Sequence, residues 1–318
     1  MREKKKAFKF IDSQKSLDEL VSKLEHEKTI GIDTEFLRTR TYFPKLCLIQ
    51  IATAKTMSCI DCLAGVDMSK LWSLIYSQDI EKVLHSGSQD LEIFYMVNKT
   101  LPSNIFDTQI AASLLGYPTQ IGIKTLLMEE LSISISKSET RSDWSKRPLD
   151  LKQIEYALED VNHLLNLHNV LEKKLKARKR YSWAFEDSSR ILTKPKELFN
   201  PGRAWKRISG IKNLKNKNQH LAVTLATWRE QTAMQMDLPR QWVLSDQSLV
   251  EIAKKEPASL AHLENIGITN RYLQKLKLQE ILKLVKKYKE KTKKMGELKP
   301  KFNKNHKIRF DANLLEKF

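Results

Sequence analysis

The chain has 318 residues, with 56 Lys and Arg against 38 Asp and Glu, for a formal charge of +18. That length suits two domains and at least one full core, and an apolar share of 41% excludes wholesale disorder. No apolar run approaches bilayer-spanning length, so the spread-out basic excess points to a polyanionic partner, nucleic acid ahead of a membrane surface.

The opening MREKKKAFKF has the positive start of a signal peptide without the apolar stretch that must follow, so the cytoplasm is the expected compartment. Cys47, Cys59 and Cys62 are too few for a disulfide framework. Cys59 and Cys62 form a C-x-x-C, but no second pair completes a zinc site. Cys59 also lies in a strand-like run, away from any helix N-terminus that would lower its pKa.

Three strand-like segments come first: TIGIDTEFL, LCLIQIAT and TMSCIDCL. Their short polar connections suit an antiparallel meander. SKLWSLIYSQ reads as a helix, EKVLHSG as a short strand, QDLEIFYMVNK as a helix, NIFDTQ as a strand and IAASLLGY as a helix. This order predicts an α/β sheet that starts antiparallel and continues parallel. Residues 118–148 are mixed. From Leu149 a long helix is expected, with Leu151, Ile154, Leu158, Val161, Leu164, Leu165 and Leu167 at helical spacing and a basic end suited to the helix dipole.

A Pro-, Lys- and Gly-marked stretch from Lys194 to about Gln219 is the best linker candidate. Beyond it, HLAVTLATWREQTAMQMD, SLVEIAKKEP, SLAHLENIG and LQKLKLQEILKLVKKYKEK read as helices of a small all-helical domain. Ser245 or Asp246 would cap the second of these and Ser259 the third, which Gly267 could stop. The basic tail from Thr292 is expected to be loose.

The chemistry is carried by acids. In the strand IGIDTEFL, alternation places Gly31, Asp33 and Glu35 on one face, two carboxylates that repel each other. Asp90 falls in the first turn of a helix after VLHSGSQD, where an acid is also simply stabilising. Asp160 follows Tyr156 by four residues, so one helix face presents both. A solvated strand face and ordinary helix acids would account for each signal singly; their order along the chain is the specific feature.

At that order the chain resembles the ribonuclease D group of the DEDD 3′-to-5′ exonucleases, DEDDy subgroup. The match runs through IDTEFLRTRTYFPKLCLIQIA, VLHSGSQDLEIFYM, IFDTQIAASLLGY, RSDWSKRPL and YALEDVNHLL, and DLPRQWVLSDQSLVEIAKKEP resembles the HRDC domain of that group. The resemblance implies an α/β ribonuclease H-like exonuclease domain, a mixed sheet flanked by helices, over 1–205. A linker over 206–216, a small all-α HRDC domain over 217–292 and a basic tail over 293–318 follow. One HRDC-like segment is recognisable, where some members carry two.

What the resemblance implies for function is hydrolysis of RNA from its 3′ end to nucleoside 5′-monophosphates, with tRNA precursors or other structured RNA as substrate; no membrane attachment is expected, and the oligomeric state is left open with a monomer favoured. Asp33, Glu35, Asp90 and Asp160 would hold two Mg²⁺ or Mn²⁺ ions, hard cations that suit oxygen ligands. Asp33 would bridge both ions, Glu35 and Asp160 would complete the nucleophile-side site, and Asp90 would hold the second ion largely through water. Tyr156 would orient the attacking water. His85, Trp144, Arg147 and Phe36 are candidate substrate contacts, each with a structural alternative: hydrogen bonding, loop packing, loop capping and core packing. Asp107 is expected to be structural, and His163 and His168 to line the helix without touching metal. The rival readings are a DNA 3′-to-5′ exonuclease with the same acids, and a non-catalytic RNA-binding protein, which loss of an acid or of the tyrosine would have marked.

Overall fold

The computed structural model describes residues 7–135, 142–191, 199–266 and 275–296. The chain forms two compact units, Met1–Arg38 with Pro44–Glu197, and Thr39–Phe43 with Leu198–Phe318.

The first unit follows the order β1 (Ala7–Ile11), α1 (Gln14–Leu24), β2 (Thr29–Leu37), β3 (Lys45–Ala52), β4 (Thr56–Asp61), α2 (Ser69–Tyr76), β5 (Glu81–Leu84), α3 (Ser88–Asn98), β6 (Ile105–Asp107), α4 (Thr108–Leu114), α5 (Ile123–Leu131), α6 (Leu151–Asn162), α7 (Leu164–Ala177) and α8 (Tyr181–Ile191). The sheet runs β1-β4-β3-β2-β5-β6. The β2–β3 and β3–β4 pairs are antiparallel, as the short connections require, and β2–β5, β5–β6 and β1–β4 are parallel. Alternation sends Ile30, Ile32, Ile49, Ile51 and Ile60 into a core shared with residues of α1, α2 and α3. The other face carries Leu48, Ala52, Met57 and Cys59 into a second core with residues of α5, α6 and α7. Each fully buried Leu or Ile contributes about 1.5–3 kcal/mol, so the two cores clamp the sheet from both sides.

Four features differ from expectation. Strand β1 went unrecognised because it is an edge strand whose pattern is mostly exposed, Phe8 and the lysine beside it included, with only Ile11 buried. Helix α1, capped by Ser13, buries Leu17, Leu20, Val21 and Leu24. Helix α5 lies within the mixed segment. The expected single long helix breaks at His163, whose φ of −105° and ψ of 0° leave the helical register. The break lets α6 lie over β2–β4 while α7 follows the sheet toward β5, since a twisted sheet turns away from a straight rod. Leu151 stands at 75% exposure, outside the core stripe.

The second unit begins with 3₁₀ turns at Pro201–Arg207 and Ile211–Asn213. Then follow α9 (Asn216–Met236), α10 (Arg240–Val243), α11 (Asp246–Lys255), α12 (Leu260–Asn265) and α13 (Lys275–Gly296). The stretch 206–216 is not an open connector: Ile208, Ile211 and Leu214 are buried in this unit's core with Leu221, Leu225 and Ile252. The Ser245 hydroxyl accepts from the Ser248 amide and Ser259 from that of His262, the caps expected of them. Gly267 and residues 297–318 lie outside the described residues.

A buried polar cluster organises this unit. The Glu230 carboxylate, 0% exposed, accepts from Arg207 at 2.7 Å, from Arg240 at 2.7 and 2.8 Å and from the Tyr42 hydroxyl at 2.5 Å. Arg240 also lies over the Tyr42 ring, 4.3 Å from its centroid. Asp237 accepts from the Tyr42 and Phe43 amides. Burial pushes the Glu230 carboxyl up, but its bonds to Arg240 and Tyr42 outweigh this and hold it below the ordinary carboxylate range. A depressed folded-state pKa contributes stability above the unfolded value and loses it as pH falls through the folded one. Glu230→Gln is therefore expected to cost about 3 kcal/mol at pH 7.5, because two arginines lose their counter-charge, and the deficit to narrow below pH 4. Thermal melts followed by circular dichroism at both pH values check this; equal melting of the two proteins at pH 7.5 would refute it.

Candidate active site

The site is built where β2 emerges beneath α6. Strand β2 pairs with β3 in the register Gly31↔Ala52, Asp33↔Gln50 and Glu35↔Leu48, with a bulge between Glu35 and Phe36. Gly31 permits a close approach, since a Cβ there would lie 3.2 Å from Leu164 Cβ at the start of α7 and crowd it. The helix seats against the sheet through the buried Ala157 and Val161, which brings Asp160 over the strand acids. Asp33, Glu35 and Asp160 each offer a carboxylate oxygen, all within 4.8 Å of one another, and all three residues are partly exposed.

Asp90 stands outside that trio. It is buried in the first turn of α3, where its carboxylate accepts from the Thr34 hydroxyl at 2.5 Å. Thr34, between the two strand acids but facing the opposite way, thereby ties the fourth acid to the same strand. Two further contacts set α3. Arg38, just past the end of β2, pairs with the buried Glu92. Gly87 caps the helix where a Cβ would meet Leu84 Cδ2 at 2.8 Å.

The electrostatics carry the signature of acids without a counter-charge. The Asp33 carboxyl is pushed well above its ordinary value by desolvation, then by Asp90, Asp160 and Glu35. Asp90 is pushed up to about 6, chiefly by burial, against the lowering effect of the Thr34 bond. Tyr156 is buried on α6, its hydroxyl bonded to Asp160, and burial with the charges of Asp160, Glu35 and Asp33 pushes it above the ordinary phenol range. It is a hydrogen-bond donor, not a base. An all-oxygen donor set of clustered acids fits a hard divalent cation such as Mg²⁺ or Mn²⁺. The cysteines offer no competing site: Cys59 lies on β4 and burial pushes its thiol up to about 12.

The candidate substrate contacts divide. Both ring nitrogens of His85 are engaged, Nδ1 with the Thr108 hydroxyl at 2.9 Å and Nε2 with the Ile121 carbonyl at 3.1 Å. Trp144 is 3% exposed in the core, its ring 6.0 Å from that of Tyr156, so it braces the tyrosine and offers no face for stacking on a base. Arg147 donates to both Asp61 carboxylate oxygens, at 2.6 and 2.5 Å, and to the Cys47 carbonyl, which commits its planar fork to fixing the loop. Phe36 is half-buried beside Glu35 and belongs to neither hydrophobic core, contrary to the core role weighed for it. Asp107 is structural, accepting from the amides of Ser86, Gly87, Gln109 and Ile110. His168 packs edge-on against Phe106 and lies 3.4 Å from the Glu81 carboxylate, outside the Asp33, Glu35 and Asp160 trio. Thr34, Arg38, Glu92 and Asp61 were not singled out from sequence. Only Thr34 had a signal, its place between two acids.

A carboxyl whose folded-state pKa is raised destabilises the fold above that pKa, and the penalty fades as pH falls and the group takes up a proton. In metal-free buffer at pH 7.5, Asp33→Asn is expected to melt above the wild type, and the gain to shrink as pH falls and the wild-type carboxyl takes up a proton. Added Mn²⁺ is expected to stabilise the wild type and leave the variant unmoved. Melting curves in EDTA and in Mn²⁺ test this, and a variant no more stable than wild type in EDTA would contradict it.

Comparison with known proteins accords with this geometry. A 3′-5′ exonuclease family model matches residues 8–176, more than half of the chain, and an HRDC domain model matches residues 218–285. Ribonuclease D of Shewanella sp. (strain ANA-3) is 35% identical over 278 residues, 87% of this chain and 72% of its own length. Ribonuclease D of Zymomonas mobilis is 38% identical over 258 residues, 80% of this chain and 66% of its own length. The crystal structure of Escherichia coli RNase D, an exoribonuclease involved in structured RNA processing, superposes with a TM-score of 0.80 at 32% identity, covering 89% of this chain and 75% of that one. The chain belongs to the ribonuclease D family, a 3′-5′ exonuclease domain followed by an HRDC domain.

Proposed function

We propose that this protein is a divalent-metal-dependent 3′-to-5′ exoribonuclease that trims structured RNA, tRNA precursors in particular, to nucleoside 5′-monophosphates. The observation that carries this reading is the approach of the Asp33, Glu35 and Asp160 carboxylates to within 4.8 Å of one another, on a fold shared with ribonuclease D. In it, Asp33, Glu35 and Asp160 would hold Mg²⁺ or Mn²⁺ on the attacking side, and Asp33 together with Asp90 would serve a second such ion. When bound, such ions would lower the pKa of the attacking water and stabilise charge on the departing 3′-oxygen.

The chain's own residues do the positioning. The Tyr156 hydroxyl, anchored by Asp160 and braced by Trp144, would hydrogen-bond the attacking water and hold it in line with the terminal phosphorus. The P–O3′ bond breaks, water oxygen replaces it on phosphorus, and the departing 3′-oxygen ends as a hydroxyl. Phe36, outside both cores, is the side chain proposed to wedge against the terminal base. The exonuclease chemistry is assigned to residues 1–205, and the HRDC helices within 217–292 supply sequence-independent phosphate contacts that weaken as salt rises. No described helix is long and apolar enough to cross a membrane; a cytoplasmic monomer is the proposed form.

A 5′-labelled RNA with a single-stranded 3′ tail, beside its DNA twin, tests the reading. A Mg²⁺-dependent ladder shortening from the RNA 3′ end is expected, abolished by EDTA and lowered at least about 100-fold by Asp160→Ala. Tyr156→Phe is expected to lower kcat about 10- to 100-fold with KM nearly unchanged, since it removes orientation and not affinity. Equal shortening of DNA favours the DNA exonuclease, and RNA shifted on a native gel but never shortened favours a binding protein.

A further inference from the structure

The sheet face beneath α6 is laid out in paired rows: Gly31–Ala52–Met57, Asp33–Gln50–Cys59 and Glu35–Leu48–Asp61. Residues directly paired across antiparallel strands project to the same face. The outer rows are accounted for. Gly31 and Ala52 give Leu164 room, and Asp61 holds Arg147. The middle row is not. Gln50 is wholly buried, and beyond a weak contact with the Cys59 thiol neither its Oε1 nor its Nε2 has a hydrogen-bond partner. Its neighbour on one side is the Cys59 thiol, a weak partner. On the other side is Asp33.

A buried amide met by nothing stronger than a thiol is costly, and an apolar side chain of similar volume would fill the place without that cost. The penalty has a use if the donor is meant for a group whose demand arises only when the site is loaded. We propose that Gln50 is a positioning residue for the metal centre, its Nε2 hydrogens donating to the Asp33 carboxylate when that carboxylate holds a divalent cation. Register alone puts the two side chains next to each other on one face. Ligating carboxylates depend on hydrogen bonds of this kind, and losing one lowers metal affinity about 10- to 100-fold. The inference rests on the reading that Asp33, Glu35 and Asp160 bind divalent cations.

The test compares full-length wild type with Gln50→Leu and Gln50→Met, the unbranched second variant guarding against misfit of the first. Two quantities are measured: Mn²⁺ affinity by isothermal titration calorimetry, and melting temperature in EDTA. The expected result is Mn²⁺ binding weakened about 10- to 100-fold in a protein that melts, metal-free, at or above the wild-type temperature. Unchanged Mn²⁺ affinity in a folded variant overturns the proposal. So does a loss of metal-free stability in both variants alongside the loss of affinity, which marks an ordinary packing residue. A wild type that binds no Mn²⁺ overturns the reading of the acid cluster itself, and Gln50's role with it.

Discussion

The constraint on which the molecule turns is repulsion among carboxylates that the fold forces together. Three of them meet within 4.8 Å, and a fourth, Asp90, adds the largest single charge effect on Asp33. Left alone, such a cluster either takes up protons or pushes its elements apart. What prevents separation is apolar packing away from the charges. The buried Ala157 and Val161 seat α6 on the sheet, and the contact of Leu164 with Gly31 fixes where that seat begins. The cores on either face supply stabilisation that the acids draw on, and a cation between the acids would return it.

Around this, the frame consists of polar contacts that each fix one element. Thr34 ties Asp90 to β2, Arg38 and Glu92 tie β2 to α3, and Asp107 caps α4 while accepting from the Gly87 amide at the entry to α3. Asp61 and Arg147 fix the loop that carries Trp144, and Trp144 braces Tyr156. Each acid is thus held by a helix or strand whose position is determined elsewhere, the arrangement a site needs if its ligands are to stay put while substrate changes. His85, Trp144 and Arg147 belong to this frame, each buried or hydrogen-bonded within the protein, while Phe36 stands outside it.

Much of this was readable in the sequence. Strict alternation in IGIDTEFL put both acids on one face, and the strand order predicted the mixed sheet, because both follow from local periodicity. Long-range pairing was not readable. Nothing local distinguishes Arg147 bound to Asp61, 86 residues away, from an arginine waiting for phosphate. Nor does anything in TYFP reveal that Tyr42 bonds Glu230. Strand β1 was hidden by its exposed edge pattern, and the break at His163 by leucines that keep helical spacing across it. The stretch 206–216 looked like a linker because its lysines and asparagines outnumber the three apolar residues that anchor it.

The most direct test of the account is to soak crystals of the protein in Mn²⁺ and record anomalous diffraction above the manganese edge. One anomalous peak is expected among the carboxylates of Asp33, Glu35 and Asp160 and a second on the Asp90 side of Asp33, with Gln50 Nε2 within hydrogen-bond distance of Asp33. Density with no peak at the cluster, or Mn²⁺ bound only elsewhere, would contradict it.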